Sequence, residues 1–381
     1  MPCPAYNELV DPIGIYNDVG GFFSSNEMEI LRADLAADIR RPGCERCWAV
    51  EDASVPGSVS ARQWANDRYY TNPDQPVGIT ALEISAGRTC TLKCRMCGPD
   101  SSTAWAAENR SRGVPAASSN LDWTTVSTDL LKTLTYLKIT GGEPFLSPKL
   151  AVMLKELQQS GLSKQIDVEI FTNAEEFPSA TFTDYMRDFN SCRIYFSIDG
   201  VGKRNEYIRS GSSWPETIAT ILNWGKWKAE LGLDRVCYSI SHTYTTYNCL
   251  YGLEMADWVK SMRSNPGLEN LDLEGWHFAW DDSWHNVTKL PGGIKKELAY
   301  MLDELRTFIG LEETIDPDYW FPFYYSKEVL QADLHVLPSE PFNDWWQEML
   351  VLDKLRGQNI NDSLPELVEL FRRHELFTHR N

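Results

Sequence analysis

The chain has 381 residues, 43% of them hydrophobic, enough for one large domain with extensions or for two domains. Acidic side chains outnumber basic ones by 54 to 36, giving a formal charge of −18, and no Lys/Arg-rich block could track a phosphate backbone, so general nucleic-acid binding is excluded. No apolar run reaches the roughly eighteen residues of a membrane span, and Met1 to Tyr6 lacks the basic and apolar regions of a signal peptide; no membrane association and a cytoplasmic location are expected.

Nine cysteines in a chain of this length are too few for a disulfide scaffold, and their odd number rules out complete pairing. Six of them, Cys3, Cys44, Cys47, Cys90, Cys94 and Cys97, fall in the first quarter. Cys192, Cys237 and Cys249 stand singly in apolar surroundings and are expected to be buried thiols. Trp224 with Trp227 and Trp345 with Trp346 read as packing on helices.

Residues 1–77 form an irregular extension with one helix predicted from Asn26 to Ile39. Within it Cys44 and Cys47 make a CxxC pair, followed by an acidic, Ser/Gly-rich loop reaching Arg62. The pair is open to three readings: inert thiols, half of a zinc site, or ligands to a second cluster.

From Ile79 short apolar runs alternate with helical ones, the pattern of a parallel sheet covered by helices. Strands are predicted at 79–85, 136–140, 167–172, 193–198, 235–242 and 271–278, with helices at 101–109, 148–160, 180–189, 215–231 and 251–262. No GxGxxG or GxxxxGK[ST] loop follows any strand, so the common nucleotide-binding folds lose support. A full or partial parallel barrel is favoured, with function expected at the strand C-termini. Residues 279–381 carry helical patterns at 293–310, 341–355 and 364–376 and no cysteine, and read as a helical cap.

The loop Cys90-Thr-Leu-Lys-Cys94-Arg-Met-Cys97 follows the first strand. A [4Fe–4S] cluster normally takes four cysteines. Ligation by these three alone would leave one iron with an open position, as a metal needs to bind a substrate. A structural zinc would want a fourth ligand nearby, and no histidine precedes His242. The other strand ends carry Gly141-Gly142-Glu143-Pro144, Thr172-Asn173 and Ser197-Ile-Asp199-Gly200. Paired glycines let a ligand approach the backbone, the Glu can accept from an ammonium group, and the hydroxyl, amide and carboxylate groups suit ribose.

These motifs, in this order, resemble the radical S-adenosylmethionine (SAM) superfamily over residues 78 to 265. Cys90, Cys94 and Cys97 match its CxxxCxxC loop, Gly141, Gly142 and Glu143 its GGE motif, and Ser197 and Asp199 its ribose-binding strand end. Thr172-Asn173, Ser197-Ile-Asp-Gly200 and Tyr207-Ile-Arg209-Ser-Gly211 look like the branch of peptide-modifying enzymes with SPASM or twitch extensions, and the tail from Leu352 to Gly357 and on to Leu367 looks twitch-like. The resemblance implies a partial (β/α)6 TIM-type barrel whose [4Fe–4S] cluster binds SAM and cleaves it to a 5′-deoxyadenosyl radical. It implies that Glu143 holds the SAM amino group, Ser197 and Asp199 the ribose, Arg209 the carboxylate, and the backbone around Met96 the adenine. Met96 stands where the family commonly has an aromatic residue, and a thioether can pack on an adenine face. Thr172 and Asn173 complete the expected cofactor-binding set.

Implied partners are an electron donor such as flavodoxin or ferredoxin and a peptide or small-molecule substrate. The alternative is a non-catalytic iron–sulfur or zinc-binding scaffold on the same barrel. His277 and His285, flanking Trp280 to Asp282, are read as packing or surface residues with no catalytic role.

Overall fold

The computed structural model describes residues 21, 23–53, 60, 62–63, 66–67, 78–114, 129–279, 283–308, 330 and 337–377. Six strands, β1 (Ala81–Ser85), β2 (Tyr136–Thr140), β3 (Asp167–Thr172), β4 (Ser191–Ser197), β5 (Val236–Tyr244) and β6 (Asp272–Phe278), lie in one sheet in that order. β1 pairs with β2, β2 with β3 and β5 with β6, all parallel. The expected parallel α/β class is therefore met, with strand limits moved by at most two residues. The near-continuous burial of Val236 and Tyr238 to His242 along β5 reflects a strand covered on both faces.

The helices are α1 (Asn26–Ala36), α2 (Glu45–Ala53), α3 (Thr103–Ser111), α4 (Pro148–Gln159), α5 (Ala180–Met186), α6 (Lys203–Ile208), α7 (Trp214–Leu231), α8 (Gly252–Met262), α9 (Gly292–Phe308), α10 (Phe342–Arg356), α11 (Ile360–Ser363) and α12 (Pro365–Arg373). Their starts follow local chemistry. Ser147 accepts from the Leu150 N–H with Pro148 in the first turn, and Leu150, Met153, Leu154 and Leu157 then form the buried face of α4. Ser102 caps α3 by accepting from the Trp105 N–H at 3.2 Å.

Three expectations change. α1 stops at Ala36 instead of Ile39, because Asp38 takes a positive φ of 56°. Cys44 and Cys47 are not at the head of a loop: a 3-10 turn (Pro42–Cys44) leads directly into α2. α6 was not expected, its six polar-rich residues being too few for a periodic signal. Cys3 and residues 280–282 lie outside the described residues.

The chain divides into two compact units. The first comprises residues up to Thr89, Ser118–Ile170 and Pro178–Arg193; the second comprises Cys90–Ala117, Phe171–Phe177 and Ile194–Asn381. In the second, helices α9 to α12 share one apolar core with Trp105, Tyr207, Tyr244 and Tyr247, and the half-buried Met96 and Cys97 pack against it. Trp224, Trp345 and Trp346 are buried as expected, and Trp227 packs edge-on against Trp224. Cys192 and Cys249 are buried, whereas Cys237 is only half-buried. Among the described residues no helix is long and apolar enough to cross a membrane.

Candidate functional site

The three-thiol loop opens the second unit, and almost every polar group in it has a fixed partner. The Cys90 N–H donates to Thr103 Oγ1 at 3.2 Å, and that hydroxyl returns a bond to the Cys90 carbonyl at 3.1 Å. The Trp105 indole N–H donates to the Cys94 carbonyl at 2.7 Å, and the Cys97 N–H to the same carbonyl at 3.0 Å. Backbone N–H groups of Lys93 and Arg95 donate to Ser210 and Ile208, each at 2.8 Å, so the loop is laced to the segment after α6. Such bonds hold the sulfurs on a defined backbone without a regular element beneath each one.

Two sulfurs receive a donor. Arg209 Nη1 lies 3.8 Å from Cys94 Sγ, and Asn173 Nδ2 lies 4.0 Å from Cys90 Sγ. Burial pushes the Cys94 thiol up to about 12 and Cys97 upward as well, with Arg209 opposing the rise in both. A thiol so buried binds a metal by losing its proton to the metal's charge. Three soft sulfur donors, two of them facing N–H groups suited to a thiolate, fit an iron–sulfur cluster. Among the described residues no three His, Cys, Asp or Glu side chains are grouped to hold a single ion. A cubane takes each thiolate on a different iron, so its ligands sit farther apart than those of one ion.

Asp199 is fully buried and engaged at both oxygens. Oδ2 pairs with Arg209 Nε at 2.7 Å, and Oδ1 accepts from the Thr243 N–H at 2.7 Å. The carboxylate holds the guanidinium that reaches Cys94. Arg209 is likewise committed to Asp199 and Cys94. Asn173 Oδ1 and Thr172 Oγ1 accept from the N–H groups of Glu175 and Ala174, so both shape the turn after β3. Glu175 next to it accepts from Thr217 Oγ1 at 2.7 Å and from the Ser213 N–H, and burial raises its carboxyl. Ser197 is half-buried at the end of β4. His285 packs its ring 5.3 Å from Tyr247 and 6.0 Å from Trp345, and His277 lies on β6.

Gly141, Gly142 and Glu143 belong to the first unit. A Cβ on Gly142 would meet the Thr89 carbonyl at 2.5 Å, and one on Gly141 the Gly87 carbonyl at 2.8 Å, with φ at Gly141 of +126°. The close approach these glycines permit is therefore by the protein's own backbone, residues 86 to 89, which run directly into Cys90. The Gly142 and Glu143 N–H groups donate to Gly87 and Thr89 at 2.8 and 2.7 Å. Glu143 itself is buried, and its Oε1 accepts from the Phe145 N–H at 3.2 Å.

Residues outside the motifs hold the loop from behind. Arg95 is fully buried, lies 3.7 Å over the Tyr207 ring and pairs with Asp353 at 2.5 Å and Gln358 at 2.9 Å. Arg356 pairs with Glu108 at 2.6 Å, donates to the Lys93 carbonyl at 3.0 Å and stacks 4.4 Å over Trp105. Two charged residues of the Leu352 to Gly357 segment, Asp353 and Arg356, thus make these contacts. A charged residue, Arg95, standing between Cys94 and Cys97 was the one signal in the sequence that a buried partner was needed.

The fold and site define a parallel α/β protein with a braced three-thiol loop beyond its first strand. No protein-family model matches the chain, and no curated protein does. Among solved structures, Streptococcus suis SuiB bound to S-adenosylmethionine aligns over 75% of this chain and 60% of its own, at 14% identity and a TM-score of 0.34. Native anSMEcpe with bound AdoMet and Cp18Cys peptide aligns over 72% and 66%, at 15% identity and a TM-score of 0.39. The chain therefore spans less than two thirds of SuiB, and TM-scores below 0.5 give these likenesses no weight for what the chain binds.

Proposed function

We propose that the protein is a radical SAM enzyme, with a partial (β/α)6 barrel, that abstracts hydrogen from a peptide or small-molecule substrate. The observation that carries this reading is the Cys90, Cys94, Cys97 loop, with Asn173 and Arg209 donating toward two of its sulfurs. When bound, a [4Fe–4S] cluster with SAM at its open iron supplies reductive cleavage to a 5′-deoxyadenosyl radical.

The chain's own residues orient and enclose. Cys90, Cys94 and Cys97 hold the cluster, while Asn173 and Arg209 offset the charge on its thiolates. Asp199 positions Arg209 and completes the SAM-facing strand end with Ser197, Thr172 and Asn173. Glu143 receives the SAM amino group, with Gly141 and Gly142 setting its backbone, Arg209 faces the carboxylate, and Met96 offers the adenine its backbone and thioether. The buried core beneath the loop keeps water from the reacting atoms. An electron donor of the flavodoxin or ferredoxin kind completes the cycle in a cytoplasmic setting.

Anaerobic reconstitution with iron and sulfide, followed by one-electron reduction in the presence of SAM, tests this. The expected results are a brown protein with four irons per cluster and release of 5′-deoxyadenosine. Undiminished 5′-deoxyadenosine from Cys94→Ala would sink the proposal.

A further inference from the structure

Cys44 and Cys47 are not used by the chemistry above. Cys44 ends the 3-10 turn, its N–H donating to the Arg41 carbonyl at 3.0 Å, and Cys47 is the third residue of α2. Both are half-buried thiols that are not joined to each other. Side chains three apart on a helical backbone have Cβ atoms about 5–6 Å apart. A disulfide needs about 3.5–4.5 Å. Closing that gap takes a small backbone shift at the helix start, where the backbone has fewest intrahelical bonds, and rotation of the two side chains then brings the sulfurs together.

The second turn of the same helix is firmly anchored. Trp48 is buried, with the Arg62 guanidinium 4.2 Å over its ring and Arg40 at 5.1 Å. Glu51 accepts from Arg62 at 2.6 Å and from Ser60 Oγ at 2.5 Å, which ties Ser60 and Arg62 against α2. A braced helix therefore presents two thiols, three residues apart, at its partly accessible first turn.

We propose that Cys44 and Cys47 form a reversible redox dithiol that exchanges with low-molecular-weight disulfides of the glutathione type. One thiolate attacks a sulfur of the external disulfide, releases one thiol and forms a mixed disulfide. The second cysteine then displaces the remaining thiol. Two protein S–H groups become one S–S bond, and the external disulfide leaves as two thiols carrying both protons and both electrons.

The test uses full-length protein, with its cluster loaded if it takes one, held anaerobically in glutathione buffers of rising oxidised fraction, then alkylated, digested and weighed. In the wild type Cys44 and Cys47 should be recovered as one linked species two hydrogens lighter, reversed by dithiothreitol. Cys44→Ser and Cys47→Ser should each stop at a mixed disulfide on the remaining thiol. Circular dichroism checks that both variants are folded; if either is not, the wild-type mass decides alone. The proposal is overturned if the wild type stays reduced in excess oxidised glutathione, if it keeps mixed disulfides at both positions, or if it holds a zinc ion that Cys44→Ser releases.

Discussion

Arg95 Nη2 lies 2.5 Å from Asp353 Oδ1, joining the middle of the three-thiol loop to helix α10 across 258 residues of chain. Asp353 Oδ2 also accepts from the Ile360 N–H at 2.7 Å, so the carboxylate ties the loop to the turn that follows α10 as well. Neither charge can be solvated if its partner is removed, since the Arg95 and Asp353 side chains are 0% and 7% exposed.

Asp353→Ala is therefore expected to cost about 3–5 kcal/mol, the usual penalty for stranding a buried charge. Urea unfolding measures the loss, and iron retained after reconstitution should fall with it. Pairing Asp353→Leu with Arg95→Met should recover much of the stability, because both charges then leave the interior. A single variant as stable as the wild type would mean the pair does not brace the loop.

Glu108 predicts a pH dependence. Burial pushes its carboxyl upward, but hydrogen bonds and charge from Arg356 and Lys93 more than offset this and leave it below the ordinary range. A carboxyl depressed in the folded state stabilises above its unfolded pKa of about 4.3, and that stability disappears as pH falls through the lower folded value. Glu108→Gln should be destabilised by about 3 kcal/mol near neutrality. The gap from the wild type should narrow below about pH 4. Denaturation midpoints of the two proteins along a pH series make the comparison, and a constant gap would contradict it.

Gly142→Ala places a methyl group 2.5 Å from the Thr89 carbonyl and 2.8 Å from the Arg88 carbonyl carbon. Both contacts are backbone, so no side chain can rotate away, and a loss of about 1–3 kcal/mol with poorer cluster loading is expected. Gly98→Ala is the control, because a Cβ there meets nothing within 4 Å. Equal behaviour of the two variants in thermal melts and iron analysis would show that close approach at Gly142 is not what requires glycine.

Asn173→Ala and Arg209→Gln each remove a donor directed at a cysteine sulfur. Outer partners of metal ligands are commonly worth about 10–100-fold in metal affinity. Reconstituted variants should lose iron faster to a chelator by a factor in that range while keeping wild-type secondary structure. Chelation rates unchanged from the wild type would reassign Asn173 to the turn after β3 and Arg209 to its pair with Asp199.

Much of the sheet was legible because its cues are local. Alternating or continuous apolar runs marked β2 and β3 to the residue, and the helical pattern at 148–160 marked α4. The cysteine spacing likewise stood on its face. What could not be read were relations across the chain: the Arg95–Asp353 pair, the Arg356–Glu108 pair and the approach of residues 86–89 to Gly142. Each depends on where the backbone returns after many intervening residues. Asp199 illustrates the same limit, since its pairing with Arg209 and the Thr243 N–H depends on residues 10 and 44 positions away that no local pattern marks.

The bracing by α10 sets an order of events during biogenesis. Cys90, Cys94 and Cys97 leave the ribosome before Asp353 and Arg356, Arg95 and Asp353 being 258 residues apart. A nascent chain carries the three thiols well before it has the groups that brace their loop, so the loop is supported only once α10 has been made. A truncation ahead of α10 would yield a chain with Cys90, Cys94 and Cys97 present and their loop unsupported.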